Sequence, residues 1–105
     1  MAIRTELTLR LPNSPGALAG VCRALADERV RITAMALDGA GHLRLLLDNP
    51  VRGAGVLRER RHTVTEREVL VVQVSSAPAA LPTVLATVGE AGVNVEYAYA
   101  ATPEA

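Results

Sequence analysis

The chain has no lysine, tryptophan or phenylalanine, a single cysteine and two aromatic side chains, Tyr97 and Tyr99. Each scarcity excludes something. One thiol, Cys22, makes neither an internal disulfide nor a cysteine-based zinc site, which fits a reducing compartment. No apolar run approaches the roughly 18 residues of a membrane span. The opening MAIRTEL meets Glu6 too early for a signal peptide, so a cytoplasmic protein is expected. Eleven arginines balance eleven acidic residues, which removes a general electrostatic grip on nucleic acid or an anionic membrane. What is present is aliphatic: half of the 105 residues are apolar, enough for a compact domain without covalent staples.

Residues 67–100 repeat residues 4–37 without a gap, at an offset of 63, with seven identities in 34 positions. Arg4 falls on Arg67, Leu7 on Leu70, Pro15 on Pro78, Leu18 on Leu81 and Val30 on Val93. The apolar phase is kept as well, through Leu9/Val72, Leu11/Val74, Leu25/Val88 and Ile32/Val95. The offset divides the chain into a unit over residues 1–65 and a partial second unit over 66–105.

Alternation of Ile3, Thr5, Leu7, Leu9 and Leu11 with Arg4, Glu6, Thr8 and Arg10 predicts a half-buried strand. Pro12–Gly16 breaks it, and Leu18, Val21, Cys22 and Leu25 recur at helical spacing. Ser14 is placed to cap this helix, with Pro15 at its first position. A second strand follows over Val30–Ala36, a hairpin turn at Asp38–Gly41 and a third strand through Leu43, Leu45 and Leu47. Asn49-Pro50 starts a helix over Val51–Arg61, weakened by Gly53 and Gly55 at about 1 kcal/mol each relative to alanine. A short strand is expected at His62–Thr65. The order is that of a ferredoxin-like βαββαβ two-layer α+β sandwich. The partial βαβ repeat then supplies a strand at Val69–Val74, a helix at Ala79–Glu90 and a strand at Val93–Ala100. It lacks equivalents of the later elements, so a strand from the first unit or from a second chain is expected to fill its sheet, a symmetric homodimer being the simplest solution.

The segment LTLRLPNSPGALAGVCRALADERVRITAMAL, with Asn13-Ser14-Pro15-Gly16-Ala17-Leu18 at the strand-to-helix turn, resembles the opening of an ACT domain. Ser76-Ala77-Pro78-Ala79-Ala80-Leu81 and Gly92-Val93-Asn94-Val95 carry a worn form of the same pattern. The arrangement is similar to stand-alone tandem-ACT proteins. That resemblance implies a regulatory protein binding a free amino acid where neighbouring units meet, through the loop Asn13, Ser14, Pro15 and Gly16. It implies no cofactor. Ser76 for asparagine and Ala79 for glycine put the second loop, Ser76–Ala79, in doubt as a site.

The same loop suits a zwitterion on chemical grounds. A helix N-terminus offers unsatisfied N–H groups and about half a positive charge. Gly16 and Ala17 are expected to supply such donors, and Asn13 carries both a donor and an acceptor. The alternative is a turn and helix cap and nothing more. If Gly16 keeps the ligand's space open, Gly16→Val fills it and abolishes binding in a folded protein, with Ala79 a milder natural form of that change.

Other residues support no chemistry. Cys22 lies on the apolar stripe of its helix and reads as a buried, inert thiol. His42 and His62 lack metal-ligand spacing. Gly39-Ala40-Gly41 and Gly53-Ala54-Gly55 match only the first two glycines of a dinucleotide fingerprint. No serine sits in a hydrolase elbow. By the repeat, Tyr97 and Tyr99 match Ala34 and Ala36 on an inward face, to pack in a core or interface or to line a pocket. The expectation is a non-catalytic amino-acid sensor. The alternative is a subunit that binds a biosynthetic enzyme without a ligand of its own.

Overall fold

The computed structural model describes residues 2–100 and divides the chain into two compact units, Ala2–Val71 and the stretch from Val72 onward. In the first, β1 (Ala2–Arg10), α1 (Ala17–Asp27), β2 (Ile32–Leu37), β3 (His42–Leu47), α2 (Pro50–Glu59) and β4 (Thr65–Val71) follow in order. The sheet order β2-β3-β1-β4 is antiparallel throughout, the ferredoxin-like α+β arrangement. Alternation decides which side of each strand is buried. Leu7, Leu9, Leu43, Leu45 and Leu47 meet Val21, Ala24 and Leu25 of α1 and Ala54, Val56 and Leu57 of α2 in one core.

Local signals set the boundaries. The Asn49 side chain accepts a hydrogen bond from the Arg52 N–H at 3.1 Å, with Pro50 opening α2, as capping and the fixed φ of proline require. At the other end α2 closes in a double turn: the Arg61 N–H reaches the Arg58 carbonyl and the His62 N–H the Leu57 carbonyl, with Arg61 at φ 70°. Gly53 is buried, and a Cβ there would meet the Leu47 side chain. This glycine therefore does not merely weaken α2; it lets the helix lie close to β3.

Four sequence expectations change. The strand at His62–Thr65 and the strand at Val69–Val74 are one strand, β4, which pairs with β1 from Ala2↔Val71 to Thr8↔Thr65. It starts 63 positions after β1, so the fourth strand of the first unit is also the repeat of its first. Val93–Ala100 forms no ladder among the described residues; its alternation is a strand pattern that no described neighbour pairs. Ser14 does not cap α1. The N-cap is Gly16, and no side chain caps the helix. Finally, Ala34 pairs with Leu46 and Ala36 with Arg44, on the face turned away from the helices, because β3 directs Leu43, Leu45 and Leu47 toward the core. The inward face assigned to their repeat partners Tyr97 and Tyr99 is thus not that of Ala34 and Ala36.

The second unit contains α3 (Ala80–Glu90). Both its bounds lie 63 positions beyond those of α1, and its C-terminal closure is the same. In α1 the Arg29 N–H bonds to the Ala26 carbonyl and the Val30 N–H to the Leu25 carbonyl. In α3 Gly92 bonds to Gly89, and Val93 to Val88. Arg29 and Gly92 both have positive φ, 59° and 74°, the left-handed residue that such closures need.

Candidate functional site

The loop between β1 and α1 is built by a turn. The Ala17 N–H donates to the Ser14 carbonyl at 3.3 Å, and Gly16 has φ 82° and ψ −6°. Those are the angles of the third residue of a type II turn, where glycine is favoured because φ is positive. Proline at the second position presets the entry. A tighter bend precedes it, with the Ser14 N–H on the Pro12 carbonyl at 2.9 Å. Asn13, Ser14, Pro15 and Gly16 are exposed, and Ala17 is half-buried.

This geometry reassigns the donors. The Ala17 N–H closes the turn, so it is not available as expected. Among the described residues no backbone bond engages the N–H groups of Gly16, Leu18 or Ala19, and α1 has neither a side-chain cap nor an acidic residue in its first turn. Three donors at the positive end of a helix are open to an anion. Gly16 has a second reason for its identity. An added Cβ would touch nothing, but the positive φ makes any side chain there strained. Gly16→Val therefore tests the turn rather than the space beside it.

The second loop repeats the first with two changes. The Ala80 N–H donates to the Ala77 carbonyl at 3.0 Å, again closing a four-residue turn. Ala79, in the place of Gly16, has φ −82° and ψ −9°, the type I rather than type II angles. The two types differ by roughly a half-rotation of the central peptide, which turns the N–H of the third residue to the other side. Pro82 stands where Ala19 stands in the first loop and has no N–H to offer. Ser76, Ala77, Pro78 and Ala79 are exposed.

Elsewhere the structure adds one polar cluster that sequence spacing left apart. Asp38 accepts from the backbone N–H of Ala40 and His42 at 2.9 and 3.0 Å, and lies 3.2 Å from His42 Nδ1 and 3.5 Å from Arg44. The His42 backbone N–H leads in holding its carboxyl below the usual carboxylate range. The signal was an aspartate opening Asp38-Gly39-Ala40-Gly41, whose side chain folds back on its own turn. Cys22 is half-buried rather than buried. Glu6 is fully buried at 0% exposure on the face turned away from α1 and α2, directly across from Arg67, an acidic residue that alternation alone made look solvated. Among the described residues no group of three metal-ligating side chains converges, and no helix is long and apolar enough to cross a membrane.

No family model and no curated protein matches the sequence. Solved structures do match. Protein BT0572 from Bacteroides thetaiotaomicron superposes with a TM-score of 0.90 at 26% identity, over 96% of this chain and 72% of that one. Aspartokinase alpha and beta subunits superpose at 0.70 with 14% identity, over 95% and 79%. The ligand-free regulatory subunit of aspartate kinase from Thermus thermophilus superposes at 0.63 with 18% identity, over 95% and 80%. The aspartokinase regulatory subunits are ACT-domain proteins, and together with the βαββαβ order and the β2-β3-β1-β4 sheet they identify the fold of this chain as ACT-like.

Proposed function

We propose that this chain is a non-catalytic, cytoplasmic regulatory protein that binds a free amino acid at an interface between ACT-like units. The observation that carries the reading is the uncapped start of α1. The N–H groups of Gly16, Leu18 and Ala19 are open on an exposed loop, beside an asparagine able to serve either end of a zwitterion. The ligand carboxylate is received by these donors and its ammonium by the Asn13 side-chain carbonyl, with Ser14 and Pro15 shaping the turn. The second loop, with Ala79 turned and Pro82 lacking a donor, is the weaker site. The regulatory-subunit neighbours agree with this role. Regulation follows by population shift, limited to the ligand's differential affinity for two association states.

Assembly as a homodimer is part of the proposal. α3 has no buried residue, while Leu81, Leu85, Val93 and Val95 are about half exposed. An apolar helix of this kind requires a partner surface. The same observation favours the second reading, in which an enzyme subunit, rather than a second copy, covers α3 and no ligand is bound.

A thermal melt against the twenty free amino acids decides between them. A ligand at 100 times its Kd adds about 2.7 kcal/mol of stability, and Asn13→Ala is expected to reduce that gain. No stabilisation by any amino acid, with an enzyme recovered on the immobilised chain, establishes the second reading instead.

A further inference from the structure

At the end of the sheet remote from the Asn13–Ala17 loop, β3 leaves β1. Their ladder stops at Glu6↔Leu46, although β1 continues back to Ala2 against β4. The cause is visible at Asp48. Its N–H donates to the Arg31 carbonyl at 3.0 Å, and its Oδ1 accepts from the Arg31 N–H at 2.9 Å, so the end of β3 is held to the β2 side. A hollow of about 240 Å³ remains, lined by Arg4, Thr5, Thr33, Leu46, Asp48 and Val71 among others. Every lining residue belongs to the unit Ala2–Val71.

Arg4 and Asp48 are the residues that would face each other had the ladder run two pairs further. Here they line one cleft, and neither forms an ion pair among the described residues; Arg4 reaches only the Ile3 carbonyl, at 3.2 Å. The cleft therefore offers one uncommitted guanidinium and one uncommitted carboxylate oxygen, Oδ2. Between them lies the side of β1 from Ala2 to Thr5 that β3 has left, whose backbone donors and acceptors have no ladder partner. Leu46 and Val71 supply an apolar wall. The volume is below the 300–1,000 Å³ of pockets for drug-sized ligands, so the occupant is small.

We propose that this cleft is a second ligand site, for a small zwitterion with an aliphatic side chain, an α-amino acid such as leucine. Its carboxylate pairs with Arg4, its ammonium with Asp48 Oδ2, and its side chain lies on Leu46 and Val71. Opposite charges set apart in one cleft select a molecule carrying both signs, and reject one that lacks either. Seven residues of extended chain separate Arg4 from Leu11, about 23 Å, so the site is distinct from the Asn13–Ala17 loop and does not depend on the reading of that loop.

The test is a backbone-amide NMR titration of the full chain with L-leucine. Saturable shifts at the amides of Thr5, Leu47 and Asp48 are expected. Arg4→Gln and Asp48→Asn remove charge while leaving side chains of similar size, and the asparagine keeps the acceptor for Arg31. Each is expected to weaken these shifts' apparent affinity tenfold or more, with an unchanged melting temperature in the absence of ligand. N-acetyl-leucine and leucine amide, each stripped of one charge, are expected to bind at least tenfold more weakly. Unmoved cleft amides at about 10 mM leucine, a concentration that detects even millimolar affinity, or an affinity equal in the wild type and both variants, overturns the proposal. Shifts confined to Asn13–Ala17 overturn it while leaving the loop site standing; the reverse pattern does the opposite.

Discussion

Two glycines in one helix show how much identity depends on neighbours. Gly53 and Gly55 lie on the same short helix, yet only Gly53 meets another element. Gly55→Ala is expected to raise stability by about 0.5–1 kcal/mol, the usual gain from replacing an exposed helical glycine. Gly53→Ala is expected to lower it by roughly 1–3 kcal/mol through overpacking. Urea unfolding of the two variants checks both signs. Asp38 makes a prediction in pH. The His42 backbone N–H holds its folded-state pKa below that of an ordinary aspartate, so its contribution is present above the unfolded pKa and is lost as pH falls through the folded value. Asp38→Ala is expected to melt below the wild type at neutral pH and to converge with it in acid, as the Asp38 carboxylate becomes protonated in the folded state. The turn at Asp38–Gly41 was legible because aspartate and glycine act locally; the bond from His42 to Asp38 was not, since it depends on how the hairpin closes.

Elements were legible where their signals are local. Asn49-Pro50 starts a helix in sequence and in structure, and Asn49→Ala is expected to cost about 1 kcal/mol by removing the cap, measurable by denaturant unfolding. The start of α1 was misplaced because Ser14 and Pro15 fit a cap and a first helical position as well as the first half of a turn. The positive φ of Gly16 decides between them, and φ is fixed by a bond from Ala17 that alternation does not encode. The two strands read at His62–Thr65 and Val69–Val74 were one for a related reason. Register against β1 sets where β4 begins, and register is a tertiary property. The donors of the loop were legible as a class, but not by residue: Ala17 is taken by the turn, and the contrast between Ala19 and Pro82 becomes chemical only once both are seen at equivalent helix starts.

For the whole molecule, the repeat was the most informative feature of the sequence. It placed α3 to within one residue, and the ends of α1 and α3 close alike. It said less about the faces of the sheet. Ala34 and Ala36 look inward by alternation alone, and only pairing with Leu46 and Arg44 places them on the side turned away from α1 and α2. The exposed apolar residues of α3 give a prediction at this scale. Sedimentation of the wild type at micromolar concentration is expected to show a dimer, and Leu81→Asp with Leu85→Asp to shift it to monomer. A wild-type monomer removes the homodimer from the proposed function. The sharing of β4 has one more consequence, for how such a chain is taken apart. A fragment ending at Val71 keeps the edge strand of the first sheet; one ending at Val64 leaves β1 as a bare edge. A cut before Val71 therefore takes residues of the edge strand from the first sheet, and a cut after it leaves the second unit without the segment that matches β1 in sequence.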